Sequence, residues 1–342
     1  MSDVLRFPAE WERQSGVLVA WPHAGTDWAD RLDAVEATYV SLVAAITRFE
    51  TALVCVANES VETRARSLLS AVADLSRVRF ERLDYDDTWL RDSGPITLRD
   101  GDSLHVLDFH FTAWGGKFEA GLDDQIVATL SDRGVFGEAR RERIHFALEG
   151  GAIETDGDGT LLSTWRCLHE RHPDLDRQQV TERLQGWLQQ RRTLWLDHGY
   201  LEGDDTDAHI DTLARFASTD AIVFQGCQDL GDSHHAELLA MARELAAFAQ
   251  PDGTPYRLFE LPWPQPILDG GRRLAASYAN FLIVNGAVLA PVYGDPADDR
   301  ALAVLQAAFP GREIVPVPCR PLIWKNGSLH CLTMQLPQGL IA

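Results

Sequence analysis

A recurring unit constrains this chain more than any single motif. Four stretches follow one plan: a cluster of polar or small residues, a strand, a tight Gly/Asp/Asn turn, a second strand and usually a helix. They are "WLRDSGPITLRDGDSLHVLDF", "ALEGGAIETDGDGTLLST", "DAHIDTLARFASTDAIVFQG" and "SYANFLIVNGAVLAPVYG". A fifth cluster, "NGSLHCLTMQLP", stands near the C-terminus. With Asp92, Glu149, His209, Asn280 and Cys331 as markers, the separations are 57, 60, 71 and 51 residues. Five copies of such a unit predict a closed ring of repeated elements. In that ring the hairpin starts converge on the axis, and Asp92, Glu149, His209 and Cys331 meet despite their distance in sequence. Strand-like runs such as "GVLVAW", "TALVCVA" and "EIVPVP" alternate with amphipathic helices such as "RLDAVEATYVSLVAAITRF" and "HHAELLAMARELAAFA", so the expected class is α/β. No Pro- or Ser-rich linker interrupts the order, and residues 1–342 are read as one domain of five α/β repeats.

At 45% hydrophobic residues, 342 residues suffice for a large core. The formal charge of −20 disfavours nucleic acid and anionic membrane, whose affinity comes mostly from Lys and Arg. No apolar run approaches the roughly 18 to 20 residues of a membrane span, and "MSDVLRFPAEWERQ" lacks the basic-then-apolar order of an export signal, so a cytoplasmic location is expected. Cys55, Cys167, Cys227, Cys319 and Cys331 are odd in number and scattered, with no C-x-x-C. That pattern suggests reduced thiols and neither a disulfide framework nor a zinc site.

Four local patterns carry chemistry. Cys331 reads as part of a strand, where successive side chains alternate in direction, so His330 is not expected to be its partner. Asp84, Asp86, Asp87 and Asp92 resemble a solvated acidic loop, but Trp89 among them offers a π face beside negative charge, which suits a planar or quaternary cation. His209 and Asp211, two apart, fit a metal pair, a structural polar pair, or a general acid/base beside a substrate-holding carboxylate. The pair His234-His235 reads as surface. Glu149 precedes two glycines, where backbone can approach a ligand closely, and Gly327 with Ser328 can turn amides toward a reacting centre.

Seven stretches in order, "FPAEWERQSGVLVAWP", "DTWLRDSGP", "FTAWGGK", "EGGAIETDGDGTLLST", "GDDTDAHID", "NFLIVNGAVLAPVYGDPADD" and "LHCLTMQLP", resemble the signatures of the agmatine deiminase family, related to bacterial peptidylarginine deiminases. The resemblance runs from about Pro8 to Pro337. It implies the pentein fold, a five-bladed pseudo-symmetric α/β propeller. It also implies roles: Cys331 as nucleophile, His209 as general acid/base, Glu149 as the acid that bonds the guanidine, and Asp92 and Asp211 as the carboxylates that grip it. Trp89, Trp114 and Gly327 join Asp92 and Asp211 in substrate binding. The implied partner is a small cationic guanidine, with no cofactor, no metal, neither nucleic acid nor membrane, and a homodimer allowed.

The implied chemistry is physically coherent. A guanidinium is a resonance-stabilised cation and a poor electrophile, so it must be held rigidly before a thiolate can attack its carbon. Paired carboxylates provide that grip. The sequence also departs from the family pattern: "WKNGS" replaces a glycine-rich run, Ala208 stands where Gly is usual, and "STWRCLHERHPDL" replaces an Asn- and Arg-containing stretch. These changes bear on the distal end of the substrate. Free arginine would need a cation for its carboxylate, from among Arg91, Lys117, Arg166, Arg272 and Lys325. Peptidyl-arginine is disfavoured by the lack of an export signal or extra domain. A non-catalytic propeller binding cations would not need a thiol, and a papain-like hydrolase would place its Cys at a helix N-terminus.

Replacing Cys331 with Ser is expected to abolish turnover while leaving substrate binding in place. Cys55, Cys167, Cys227 and Cys319 should each tolerate Ser within a few-fold in steady-state assays, and chelators should leave the rate unchanged. Near-normal turnover by the Cys331→Ser protein would exclude the covalent route.

Overall fold

Apolar runs too continuous for a sheet with one wet face form the middle strands of this α/β protein. The computed structural model describes residues 5–341; residues 1–4, part of the stretch read above for an export signal, and residue 342 lie outside it. One strand order occurs in four three-stranded sheets: an antiparallel hairpin, then a third strand parallel to the second. The sheets comprise Ile96–Asp100, Ser103–His110 and Arg140–Ala147; Ile153–Thr155, Thr160–Thr164 and Arg192–Leu196; Ala214–Ser218, Ala221–Gln225 and Arg257–Leu261; and Leu282–Val284, Ala287–Val292 and Glu313–Pro318.

Both ends of the chain build the remaining large sheet. Thr333–Pro337 pairs antiparallel with Gln14–Ala20, which runs parallel to Thr51–Val56, and that strand runs parallel to Val78–Arg82. Gln14–Ala20 therefore takes the place that the second hairpin strand holds elsewhere. Parallel neighbours require a crossover, and helices supply it in each sheet. Leu32–Thr47 and Glu59–Leu69 serve the terminal sheet, and Ile126–Asp132, Arg177–Leu188, His235–Ala247 and Asp298–Ala308 the others.

Position in the sheet explains the burial. Thr160–Thr164 and Ala221–Gln225, flanked on both edges, are buried throughout. The third strands are edges, and they alternate or carry charge: "RRERIHFA", "RLFEL" and "VRFER" all expose Arg or Glu. Charged edges discourage pairing with another chain.

The polar clusters lie where the hairpins begin. Leu90–Ser93, Gly150–Ala152, Ile210–Thr212 and His330–Leu332 are single helical turns, each leading into the first strand of a hairpin. These turns pack against one another. Cys331 thus sits in a short 3-10 turn and not in the strand expected from its sequence, which starts only at Thr333. Strand alternation consequently does not set the direction of His330. The expected surface position of His234 is also corrected: its ring is buried, faces Asp232 Oδ1 at 2.7 Å, and accepts from the Glu202 amide at 2.7 Å.

Leu289→Ala, in the buried middle strand Ala287–Val292, is expected to cost about 2 to 5 kcal/mol in denaturant unfolding. Arg257→Ala, on an exposed outer strand, should cost under about 1 kcal/mol although it breaks a contact with Asp220. Equal costs would contradict this division between middle and edge strands.

Candidate active site

Glycine lets the polar turns come together. A Cβ on Gly150 would lie 2.2 Å from the Arg91 carbonyl, and one on Gly151 would lie 2.6 Å from His209 Nδ1 and 2.7 Å from Asp92 Oδ1. The Gly151 amide donates to Asp92 Oδ1 at 2.9 Å. His209 lies with Nδ1 3.6 Å from Asp92 Oδ1 and Nε2 3.5 Å from Glu149 Oε2, too long for good hydrogen bonds. Cys331 Sγ is 3.4 Å from Asn280 Oδ1 and 3.8 Å from Asp211 Oδ2. All five residues named at the sequence level as catalytic, Asp92, Glu149, His209, Asp211 and Cys331, are buried around one point.

Each carboxylate is anchored from outside that point. Glu149 Oε1 accepts from Arg171 Nε at 2.7 Å, and Asp211 Oδ2 faces His330 Nδ1 at 2.8 Å. Asp92 Oδ2 accepts from the Trp114 indole at 2.9 Å. The other oxygens, Glu149 Oε2 and Asp211 Oδ1, and both ring nitrogens of His209 are buried without a hydrogen-bond partner among the described residues. Unpaired buried polar atoms are rare and costly, so four at one place mark a site shaped for a ligand.

Burial pushes the Asp92 pKa up to about 6, with Asp211 and Glu149 adding to it against His209. Burial opposes charge on Glu149 as well, but His209 and Arg171 hold its pKa below the usual range. Asp211 is likewise held down, chiefly by His330, against burial. Burial disfavours charge on His209, yet Asp92, Cys167 and Glu149 raise its pKa well above that of a free imidazole. Cys331 goes far up, through burial first and then Asp211 and Asp92. These directions favour a neutral thiol at Cys331 and a proton held on His209.

The centre opens into a cleft that reaches Cys331 and Asp92 and is lined by Trp89, Trp114 and Gly327. A Cβ on Gly327 would lie 2.1 Å from the Trp89 ring, so glycine there makes room for the indole. The acidic loop read as solvated is largely drawn inward: Asp87 accepts from Trp89 Nε1, and Asp123 binds the amides of Asp86 and Asp87. Asp27, Asp86, Asp87, Glu119, Asp123 and Asp205 line the cleft against only Arg272 and Lys325. Of the other cations considered for a carboxylate, Arg91 is buried beside Glu10, Lys117 binds Asp207, and Arg166 is exposed outside the cleft.

Trp114 is held in place by unusual backbone. Ala113, Trp114, Gly115 and Gly116 have φ of 47°, 57°, 87° and 80°, a left-handed turn that only the glycines adopt freely. Ala208, immediately before His209, also has a positive φ of 72°. Its amide donates to Asp204 Oδ2 at 2.8 Å and its carbonyl accepts from Thr164 Oγ1 at 2.7 Å.

The profile of the Porphyromonas-type peptidyl-arginine deiminase family matches residues 6–337. The chain belongs to this family. It is 34% identical to an agmatine deiminase from Stutzerimonas stutzeri, over 98% of this chain and 96% of that one. A crystal structure provisionally described as an arginine deiminase from Porphyromonas gingivalis is 43% identical, with a TM-score of 0.92 over 99% and 100% of the two chains. A substrate-bound agmatine deiminase from C. jejuni is 32% identical, with a TM-score of 0.90 over 98% and 97%.

Several residues of the centre carried no role at the sequence level. Asn280 served only to mark the repeat, yet its Oδ1 accepts from the His330 and Cys331 amides. Its place as the fourth repeat marker was the signal available. Arg171 lies in the stretch that departs from the family pattern, and Cys167, on the same helix, lies beside Glu149 and His209. Glu10 lies in the first of the seven family-like stretches, which marked the segment but gave this residue no role.

Ala208→Gly is expected to keep activity and to change stability by at most about 1 kcal/mol, because relief of strain opposes the added freedom of the unfolded chain. Ala208→Val should cost about 2 kcal/mol or more, since a β-branched residue tolerates positive φ poorly. Calorimetric unfolding of the two variants separates these outcomes.

Proposed function

We propose that this protein hydrolyses a guanidinium group through covalent attack by Cys331, with agmatine and water giving N-carbamoylputrescine and ammonia. The observation that carries the reading is the set of unpartnered buried atoms, Glu149 Oε2, Asp211 Oδ1 and both nitrogens of His209, beside a buried thiol at the end of an acidic, aromatic cleft. A guanidinium presents its N–H donors in a fixed plane and brings the positive charge such acceptors lack. The relatives point the same way, since agmatine deiminases match this chain over nearly its whole length.

In this reading Asp92 and Asp211 hold the guanidinium and Glu149 fixes a further N–H. The bound cation acidifies Cys331, whose proton passes to solvent through the cleft; the thiolate then adds to the central carbon, the His209 imidazolium protonates the ammonia that departs as the C–N bond breaks, and a thiouronium remains on the sulfur. The neutral His209 then takes a proton from water as it adds to the same carbon, and collapse breaks the C–S bond to release the ureido product. Trp89 and Trp114 form the walls, and Gly327 leaves space for the substrate. The same reading includes a single domain of five repeats closed as a propeller, with the sheet shared by the two chain ends as one of the blades. It also includes the cytoplasmic location expected from sequence, which cell fractionation tests, and allows a homodimer, which sedimentation tests.

The acidic wall of the cleft favours agmatine, whose far end is an amine, over arginine, whose far end carries a carboxylate. Ammonia release from agmatine, arginine and a blocked arginine peptide tests the choice directly. Agmatine should turn over fastest; a preference for arginine would assign Arg272 and Lys325 to its carboxylate, and no release from any of the three would overturn hydrolysis.

A second test addresses the thiol. Because burial, Asp211 and Asp92 raise the Cys331 pKa, its alkylation by neutral iodoacetamide should accelerate only above neutral pH. A small unreactive guanidinium that leaves the sulfur accessible should move that profile to lower pH, since its charge stabilises the thiolate; each tenfold gain in the thiol's acidity corresponds to about 1.4 kcal/mol. A profile centred near pH 5 and indifferent to the guanidinium would indicate a preformed thiolate-imidazolium pair.

A further inference from the structure

Asp211 turns one oxygen toward the unpartnered cluster and the other toward the protein, and an Asp carboxylate does not choose such an orientation by itself. Its χ2 torsion is broad and nearly two-fold, so a neighbour must select the angle. His330 is that neighbour. Its Nδ1 lies 2.8 Å from Asp211 Oδ2, and its Nε2 lies 2.8 Å from Glu10 Oε2. Ionised carboxylates accept and do not donate, so Asp211 asks for a proton on Nδ1 and Glu10 for one on Nε2, while burial, Arg215 and Arg91 hold the ring's pKa below that of a free imidazole.

Glu10 is itself firmly held. Its Oε1 accepts from the Ile283 amide at 2.7 Å, and its Oε2 accepts from Arg215 Nη2 at 2.8 Å and lies 3.6 Å from Arg91 Nη2. Glu10, Glu154 and His330 bring possible metal-ligating atoms together, but Arg215 bonds both carboxylates and already supplies the cation. Glu10, His330 and Arg91 line a second cavity that shares no residue with the cleft. The ring of His330 therefore reaches Asp211 from the side the substrate does not touch.

We propose that Glu10 and His330 form a positioning pair for Asp211, fixing Oδ2 so that Oδ1 is presented to the guanidinium. The proposal rests on the guanidine-hydrolysis reading and assigns substrate affinity to residues outside the cleft. Sequence alternation gave His330 no part in the chemistry; the 3-10 turn that carries Cys331 instead swings the His330 ring onto the carboxylate beside it.

The test compares His330→Ala, His330→Asn and Glu10→Gln, each made in the wild-type protein and in the Cys331→Ser background. Steady-state ammonia release from agmatine gives kcat and KM, calorimetry gives the Kd of agmatine for the Cys331→Ser proteins, and thermal unfolding reports folding. His330→Ala is expected to raise KM and Kd about ten- to hundred-fold, the scale for losing an outer partner of a binding group, with a smaller change in kcat. His330→Asn, whose amide N–H can stand near the place of Nδ1–H, should recover most of that loss. Glu10→Gln should raise both constants by roughly three-fold or more, with a lowered Tm because Arg215 and Arg91 lose a buried partner. A KM and Kd within two-fold of wild type in folded His330→Ala would overturn the proposal, as would a lowered Tm with no rescue by Asn. If His330→Ala does not fold, Glu10→Gln decides by the same two-fold criterion. Should the wild-type protein release no ammonia while Kd still responds to His330, hydrolysis falls and the positioning pair stands.

Discussion

Like charges buried around one point oppose one another's ionisation, and the centre of this protein is organised by that opposition. Asp92, Glu149 and Asp211 are buried together, where each would ordinarily drift toward its neutral form. Two of them escape through their partners: His209 and Arg171 for Glu149, and His330 for Asp211. Asp92 receives only neutral donors, the Gly151 amide and the Trp114 indole, and it is the one whose pKa rises. The donors that each receives thus sort three similar side chains into two electrostatic classes.

The same logic extends outward in layers. Arg171 is balanced by Glu149 and Asp207, and Arg215 by Glu10 and Glu154, so each of these two cations binds a pair of carboxylates. Beyond these layers the cleft walls are acidic again. A small cation meets negative potential along the cleft, while an anion meets it as a barrier.

The parts of this organisation that sequence reveals are the local ones. Hairpins with polar starts were visible because two short strands and a Gly or Asp turn leave a compact pattern, as in "ETDGDGTLLST". Most third strands were not: "RRERIHFA" and "RLFEL" are edges whose exposed Arg and Glu hide the period. The turn at His330–Leu332 is too short to show any periodicity, which is why Cys331 was placed in a strand. Recurrence at about sixty residues grouped Asp92, Glu149, His209 and Cys331, and family resemblance assigned their roles. Neither gave a role to Glu10, although it lies in "FPAEWERQSGVLVAWP", because its partners Arg91, Arg215, Ile283 and His330 are each distant in the chain.

One consequence follows from the pairing of Gln14–Ala20 with Thr333–Pro337. During synthesis the first of these strands leaves the ribosome almost the whole length of the chain before its partner. Val17, Leu18 and Val19, fully buried in the finished protein, must wait beside a vacant edge, exposed to wrong partners. The turn bearing Cys331 arrives with that last strand, so the reactive thiol joins its acidic surroundings only as the chain's two ends meet. Assembly of the centre and closure of the terminal sheet are then a single event, late and dependent on contacts of the longest sequence separation.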